Sequence, residues 1–200
     1  MPQFDLLGMN IAKYVNNSGT ISYTDRQKIG DAMNCTLELR FAEGRLYAEG
    51  SLAEYLRKCV GGTIAIGVKY IKQAAQKLMY GSQEKSRSVT YTPTSGSASV
   101  TASVVGLVTT AKDKGNYVGF ACYAPDMIDG EEKYTAFYIP KVRFGQPSYT
   151  LQTAGETITF NTPTTAGEFM ADDSTGQAIQ EIATLDDQNA AIAWCEAVLS

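Results

Sequence analysis

The chain has 200 residues, of which 44% are hydrophobic, so it is long enough to bury one sizeable core. Its formal net charge is −4 and it contains no histidine, which excludes Ser-His-Asp and Cys-His nucleophilic centres and argues against a zinc site. No lysine or arginine follows Arg143, so the C-terminal part lacks the basic clusters that grip nucleic-acid phosphates.

The cysteines and the N-terminal segment indicate a reducing compartment. The four cysteines are widely separated and form no C-x-x-C pair. The first ten residues lack the basic region and apolar run of a signal peptide, and no apolar stretch approaches about 18 residues. We therefore expect synthesis in the cytoplasm without cleavage and without a membrane-spanning helix.

The first part of the chain predicts two strands. Residues 8–15 are a weaker candidate, whereas residues 35–41 alternate strictly between apolar and polar side chains. The alternation predicts a half-buried antiparallel strand. Its buried face would carry Cys35, Leu37, Leu39 and Phe41.

A short helix is expected next. Ser51 and Glu54 match the S-x-x-E capping box, and apolar residues follow until a Gly61-Gly62 pair that would end the helix. We predict a helix over about 52–59. It would lie within a projecting excursion over about 42–62, between two core strands.

A strand over 63–68 leads into a second helix. In residues 68–81 apolar side chains recur at helical spacing, and Gly81 is a natural stop. The expected buried side of this helix consists of Val68, Ile71, Ala75, Leu78 and Met79.

The middle of the chain gives weaker signals. Residues 88–92 and 100–110 are candidate strands. Three polar segments rich in glycine, serine or lysine are predicted to be loops, and none is long enough to link two domains: 81–88, 92–99 and 112–116. We expect a single domain over residues 1–200.

The C-terminal part predicts a hairpin, two further strand segments and a helix. Asp129-Gly130 supplies the positive φ angles of a tight turn, which pairs 117–124 with 132–139. Strand-like composition continues through 134–144 and returns in 156–162. A short helix over about 187–199 could be capped by Asp186 or Asp187, with Trp194 packed and one apolar side formed by Ile192, Cys195, Val198 and Leu199.

Several patterns resemble sites without completing one. Ser82 and Lys85 match S-x-x-K, but the S-D-N and K-T-G partners of that motif are missing. Asp172-Asp173 and Asp186-Asp187 lack an EF-hand register, so helix capping and solubility explain them better than calcium does. We therefore predict that the protein is not an enzyme and has no catalytic, cofactor-binding or metal-binding residues.

The collinear order of features resembles a known family. A "GGTIAIGVKYIKQAAQKLMYG" strand and helix is followed by "YVGFACYA", then "YTAFYIPKVRF", then "GETITFNTPTTAGEFM". Over about residues 8 to 199 this order is similar to the major tail protein, or tail tube protein, of long-tailed, non-contractile bacteriophages of Gram-positive bacteria. The resemblance implies a mainly β fold with one to three short helices, in a β-sandwich or partial barrel of the phage tail tube type.

The resemblance also implies a structural role in the virion tail. Subunits would form rings, in this family hexamers, that stack into a tube through which DNA passes without specific binding. Further partners would be the tape-measure and tail-terminator proteins, and the protein would be made in the host bacterial cytoplasm. Because a lumen must let a polyanion slide, we expect it to lack a strong basic stripe.

The predicted excursion supplies the candidate contacts of such an assembly. It mixes charged and aromatic side chains between two core strands, so we expect it to contact a neighbouring subunit or ring. The candidate intersubunit or inter-ring residues are Arg45, Tyr47, Glu49, Tyr55 and Arg57.

Two other functions fit the same sequence. A monomeric β-sandwich module that recognises carbohydrate or a cell surface could use the twelve tyrosines as stacking surfaces. A tube protein of a domesticated phage-like injection device would carry the same features as a phage tail protein. Assembly state separates the first of these from a tube protein.

Overall fold

The computed structural model describes residues 5–49, 51–96, 98–151, 153 and 161–200. Over these residues the chain is mainly β, with antiparallel sheets and two helices. In chain order the elements are β1 Leu7–Asn17, β2 Thr20–Lys28, β3 Ala32–Ala48, β4 Ser51–Val68, α1 Gln73–Tyr80, β5 Gln83–Tyr91, β6 Val100–Val108, β7 Val118–Ile128, β8 Glu131–Phe144, β9 Thr164–Phe169, β10 Glu181–Leu185 and α2 Gln188–Ala197.

One large sheet organises the described chain. Its strand order is β2-β1-β7-β8-β9-β4-β3, and β10 pairs with β8 beside this path. β8 is paired with β7 along most of its length, with β10 over 134–138 and with β9 over 142–144. β5 and β6 form a separate two-stranded sheet.

The sheet folds over its own inner face in a sandwich-like arrangement. Side chains of β1, β7 and β8 pack there against side chains of β4 and α1, and the cluster includes Ile11, Phe120, Ile139, Ile64 and Met79. All five are essentially inaccessible to solvent. Burying one such side chain stabilises the folded state by about 1.5–3 kcal/mol relative to leaving it exposed. This cluster is therefore the main core.

Helix α2 covers the outer face of the same central strands. Its buried Ala191 and Cys195 pack with Ala12, Ala121 and Ala136, whose small side chains let the helix lie close to the sheet. The Asp187 carboxylate caps the helix by accepting from the backbone N–H groups of residues 189 and 190. The central strands are therefore covered on both faces.

The structure confirms several predicted elements. The β7–β8 hairpin turns at Asp129 and Gly130, both with positive φ, as predicted. The two predicted segments pair with an offset, because 118–124 lie opposite 135–142 and the ladder continues to the turn. α1 ends at Gly81 in the left-handed conformation and buries Ala75, Leu78 and Met79 as predicted. It begins later than expected, at Gln73, so Val68 ends β4 and Ile71 precedes the helix. α2 lies where the C-terminal helix was expected, and Asp187 is its cap. Ile192, however, is 38% exposed, so its predicted place on the packed side is wrong.

The predicted helix over 52–59 is wrong. Residues 51–68 form the continuous strand β4, and Ser51 follows a turn instead of capping a helix. Gly61 and Gly62, expected to end that helix, lie inside the strand. The capping pattern is local, whereas sixteen residue pairs of the β3–β4 ladder satisfy backbone groups along both strands. The ladder therefore overrides the local helix signal.

Other predictions were incomplete. Residues 83–88 belong to strand β5 instead of the predicted loop over 81–88. The sequence did not predict β2, β9 or β10, which are short or polar and, in β9, interrupted by Gly167. The predicted strand over 156–162 lies outside the described residues except for its last two positions, which precede β9 without joining it. No helix of the described chain is long and apolar enough to cross a membrane.

Candidate assembly surface on the β3–β4 arm

The outer part of the β3–β4 hairpin, residues 41–59, is here called the arm. Nearer the core, β4 pairs on its other side with β9 through Gly62–Gly67. In the arm, β3 and β4 pair only with each other within the described chain. Both outer edges of the arm therefore present backbone N–H and C=O groups that no described strand pairs with. Such edges are templates for pairing with another chain.

The root of the arm depends on two glycines. Gly61 has φ of +133°, and a Cβ atom there would lie 2.3 Å from the carbonyl oxygen of Phe169. A Cβ at Gly62 would lie 2.1 Å from the carbonyl oxygen of Glu38. The register also shifts beside them, where β4 gains Val60 as an extra residue. Together these features bring β4 against β9 and bend the ladder where the arm begins.

One face of the arm continues the core-facing side of β3. Side chains of a strand alternate between faces, so odd-numbered residues from 35 onward share one face. Cys35 and Leu37 are partly buried against the core. Leu39 and Phe41 are 43% and 41% exposed, and Tyr47 is 63% exposed. The face that is covered at the root is thus uncovered along the arm.

Charged and aromatic side chains interleave on this face. The Arg57 guanidinium lies 3.8 Å from the centroid of the Phe41 ring, and its Nε is 3.5 Å from the Glu43 carboxylate. The Arg45 guanidinium lies 5.7 Å from the centroid of the Tyr55 ring and 3.7 Å from Glu43. Exposed ion pairs contribute at most about 1 kcal/mol each, so these contacts mainly order the side chains.

The Glu43 carboxylate connects this face electrostatically. The Tyr55 hydroxyl donates a hydrogen bond to it, and this contact raises the pKa of Tyr55. Tyr55 therefore remains a neutral hydrogen-bond donor at physiological pH. The opposite face of the arm is more aliphatic, with Leu46 58% exposed and Leu56 73% exposed.

The structure brings together most of the predicted contact residues. Arg45, Tyr55 and Arg57 are on the interleaved face, and Tyr47 follows Arg45 on the same side of β3. Glu49 lies apart from them, in the turn at the tip, with φ of +52°. Their expected helical setting is wrong, and the ladder register provides the common face instead.

The sequence did not indicate a second exposed hairpin, formed by β5 and β6. The candidate strand over 88–92 covers only the end of β5, because every residue of β5 is exposed and its first part, 83–87, shows no apolar alternation. The available signal was the run of β-branched residues in β6. Hydroxyl pairs cross this hairpin, including Ser86 with Ser103 at 2.6 Å and Thr90 with Thr101 at 2.9 Å.

Two further patterns can be located in the part of the chain that is described: possible metal ligands and Ser82. No three His, Cys, Asp or Glu side chains there are grouped so that they could hold a metal ion. The Ser82 hydroxyl is buried and lies 3.0 Å from the Thr109 hydroxyl. Ser82 is thus part of a structural contact where the β5–β6 hairpin leaves α1.

Comparison with known proteins adds no relative to this picture. No protein-family model matches the chain, and no curated protein sequence matches it significantly. The arm, defined by its free edges and its interleaved face, is therefore the surface on which a functional proposal depends.

Proposed function

We propose that this protein is a tail tube protein of a long-tailed, non-contractile bacteriophage. It assembles with copies of itself into hexameric rings, and the rings stack into a tube that conducts DNA. The observation that carries this proposal is the arm, a two-stranded ladder whose outer edges pair with no strand of the described chain, with exposed apolar and aromatic side chains on a face continuous with the core.

The energetics of the arm support a role in self-association. A two-stranded hairpin by itself is marginally stable in water, because its side chains bury little surface. The arm nevertheless carries Leu46, Tyr47, Leu52 and Leu56, each more than half exposed. Covering such side chains would contribute about 25 cal/mol per Å² of apolar surface. A neighbouring subunit supplies that cover in a ring or between rings.

Symmetry explains why copies of one chain can satisfy these edges. When a strand edge of one subunit pairs with a different surface of the next, the contact is heterologous, and it closes into a ring if the rotation is right. At the opposite edge of the large sheet lies β2, which is terminal in the order of the described strands. Each subunit thus presents two distinct edges of the same sheet.

The charge distribution suits a conduit for DNA. From residue 146 to residue 200 there are eight acidic and no basic residues. A wall that retained phosphates through many arginine and lysine contacts would hinder passage. We propose that the lumen lacks a strong basic stripe, and that the tape-measure and tail-terminator proteins contact the tube inside and at its end.

Deleting residues 44–58 tests the proposal. The deletion leaves Ala42 and Glu43 as a connection between Phe41 and Cys59, which already pair in the intact ladder. The core residues are untouched, so we expect a folded monomer that forms no rings or tubes. Sedimentation and electron microscopy measure assembly, and thermal unfolding measures folding.

A second variant keeps the arm and replaces two of its exposed leucines with serine. Leu52→Ser with Leu56→Ser should also abolish tubes, whereas Leu151→Ser should not, although Leu151 is 86% exposed and equally apolar. Normal tubes from the deletion would contradict the role of the arm. Intact protein that remains monomeric at all concentrations and binds a glycan would instead favour a monomeric recognition module.

A further inference from the structure

The β5–β6 hairpin is a second part of the described chain that lacks cover. Its strands pair only with each other, through nine residue pairs from Gln83↔Val108 to Tyr91↔Val100. It is attached at its root, where Lys77 Nζ lies 3.0 Å from the Glu84 carboxylate. Beyond that root every residue of β5 is exposed.

This hairpin has two unlike faces. Opposite residues of an antiparallel pair share a face, so Lys85, Arg87, Val89 and Tyr91 lie together, and across from them lie Val100, Ala102, Val104 and Gly106. The other face carries the hydroxyls of Ser86, Ser88, Thr90, Thr101 and Ser103. From Lys85 to Lys112 the chain contains no acidic residue. The hairpin is therefore purely cationic beyond its root.

An acidic surface lies at the far end of the central strands. It consists of the β7–β8 turn and the start of α2. These two segments are neighbours because β10, which precedes α2, pairs with the start of β8 at Leu185 and Tyr134. The only ammonium group among its charged side chains is that of Lys133, already bound to Glu131 at 2.9 Å and Asp186 at 2.7 Å. The carboxylates of this acidic end are Asp129, Glu131, Glu132, Asp186 and Asp187.

These two surfaces cannot meet within one subunit. The hairpin leaves the body beside Gly81 and Gly115, and a Cβ at Gly115 would lie 3.1 Å from the carbonyl oxygen of Phe144, at the C-terminal end of β8. The acidic end lies where β8 begins, at Glu131. At about 3.3 Å per residue, β8 separates them by roughly 45 Å, whereas each strand of the hairpin reaches roughly 30 Å.

We infer that the β5–β6 hairpin docks through Lys85 and Arg87 on the acidic end of a second copy of this chain, in the next ring of the tube. This inference rests on the proposed function and adds a contact that orients the stack. Hairpin and acidic end are different surfaces, so the contact is heterologous and propagates in one direction. Every ring in the tube then faces the same way.

Electrostatics gives this contact a measurable signature. Opposite charges on approaching surfaces raise association rates by about 10- to 1,000-fold at low ionic strength. Exposed charges are screened beyond about 8 Å at physiological salt. We therefore expect the rate of tube growth to fall as salt increases.

Charge reversal on either surface tests the inference. Lys85→Glu with Arg87→Glu should slow tube growth about tenfold or more at low salt, and Glu131→Lys with Glu132→Lys should do the same. Combining all four substitutions restores opposite charges and should recover growth. The control is Lys69→Glu with Lys72→Glu, which changes the net charge of the protein by the same amount as the hairpin variant, at exposed positions of the body. Light scattering follows growth, and circular dichroism checks folding.

The outcomes are distinguishable. If intact protein forms tubes and the hairpin variant grows like the control, the inference is wrong and the proposed function stands. If intact protein forms no tube under any condition, both are wrong. Salt-sensitive retention of duplex DNA that disappears in the hairpin variant would overturn the inference in favour of a polyanion site.

Cross-linking provides a direct readout. Carbodiimide treatment of tubes grown from mixed ¹⁴N- and ¹⁵N-labelled subunits should join Lys85 to Glu131 or Glu132 in peptides carrying both labels. If every cross-link of Lys85 to Glu131 or Glu132 joined two peptides with the same label, docking between copies would be contradicted.

Discussion

The β7–β8 and β3–β4 hairpins resemble each other in local construction and differ in what covers them. Both turn through a non-glycine residue with positive φ, Asp129 at +54° and Glu49 at +52°. Both connect two long antiparallel strands of the large sheet. Yet the first eight residues of β7 are buried, whereas all residues of the arm on β3 are exposed.

The difference shows where each hairpin obtains its stability. β7 and β8 have paired neighbours on both sides, the core beneath them and α2 above them. The arm has only its own ladder in the described chain. A hairpin covered by its own chain is stable in the monomer, whereas we expect the arm to gain its cover from another subunit. Matched substitutions in the two hairpins test this contrast.

The largest expected effect separates folding from assembly. Ile139→Ala in β8 removes a fully buried side chain that packs in the main core, and should lower the free energy of unfolding by about 2–5 kcal/mol. Leu56→Ala in the arm removes a side chain that is 73% exposed, and should change monomer stability by less than about 0.5 kcal/mol while weakening assembly. Urea unfolding and sedimentation measure both. Equal losses of monomer stability would contradict the contrast.

A smaller effect is expected where the arm joins the body. Gly61→Ala places a Cβ in a positive-φ conformation, against the Phe169 carbonyl, and should lower the free energy of unfolding by about 1–3 kcal/mol. Gly44→Ala is the control, because a Cβ at that position of the arm meets nothing within 4 Å. Chemical denaturation of both variants measures the difference. If the Gly61 and Gly44 variants were equally stable, a Cβ atom at position 61 would cause no strain at the root of the arm, and the prediction would be wrong.

The smallest effect concerns the ionic contact that closes the end of β8. Lys141 Nζ, almost buried, lies 2.7 and 2.8 Å from the Asp173 carboxylate oxygens, and the Tyr14 hydroxyl donates to the same carboxylate. The Lys141 contact first, and the Tyr14 hydrogen bond second, lower the pKa of Asp173. The Asp173 carboxylate therefore makes its full contribution to the free energy of unfolding above its unfolded-state pKa of about 3.9. That contribution is lost as the pH falls through the lower pKa that Asp173 has in the folded protein.

Asp173→Asn should consequently destabilise the protein at pH 7 and progressively less below pH about 4. Urea unfolding of the intact protein and the variant across this range measures the narrowing. Glu168→Gln, which removes an exposed ion pair with Arg40, should show a much smaller difference at every pH. A constant difference between intact protein and the Asp173 variant would contradict the assigned linkage.

Local patterns predicted the covered parts of the fold well, for a physical reason. Where one face of a strand is buried, apolar and polar residues alternate, as around Cys35 and Leu37. The predicted burial of Leu39 and Phe41 on the same face is wrong, because both are exposed where the arm leaves the core. Residues 118–124 show no such alternation, because β7 is covered on both faces. Gly81 predicted the end of α1, because glycine adopts the left-handed cap conformation without strain. Asp187 predicted the start of α2, because its short carboxylate accepts hydrogen bonds from the first backbone N–H groups of the helix.

The sequence predicted most residues of the candidate surface correctly, but the predicted secondary structure of that segment was wrong. Arg45, Tyr47, Tyr55 and Arg57 do share a side of an exposed excursion, but as members of a ladder. Ser51 and Glu54 carry a valid capping pattern, yet strand pairing with β3 outweighs one turn of helix. The first part of the exposed β5, 83–87, was not predicted as a strand, because a strand with no buried face needs no alternation.

A mainly β chain, the position of the β7–β8 turn and the C-terminal end of α1 and the start of α2 could be predicted from the sequence, because turns and caps depend on residues close together in the chain. That no other described segment covers residues 41–59, and that the cationic hairpin and the acidic turn lie at opposite ends of β8, became visible only in the folded chain. Both facts depend on which distant segments pair, and on where that pairing stops. β9 ends its contact with β4 at Gly62, and the free edges of the arm begin just beyond it.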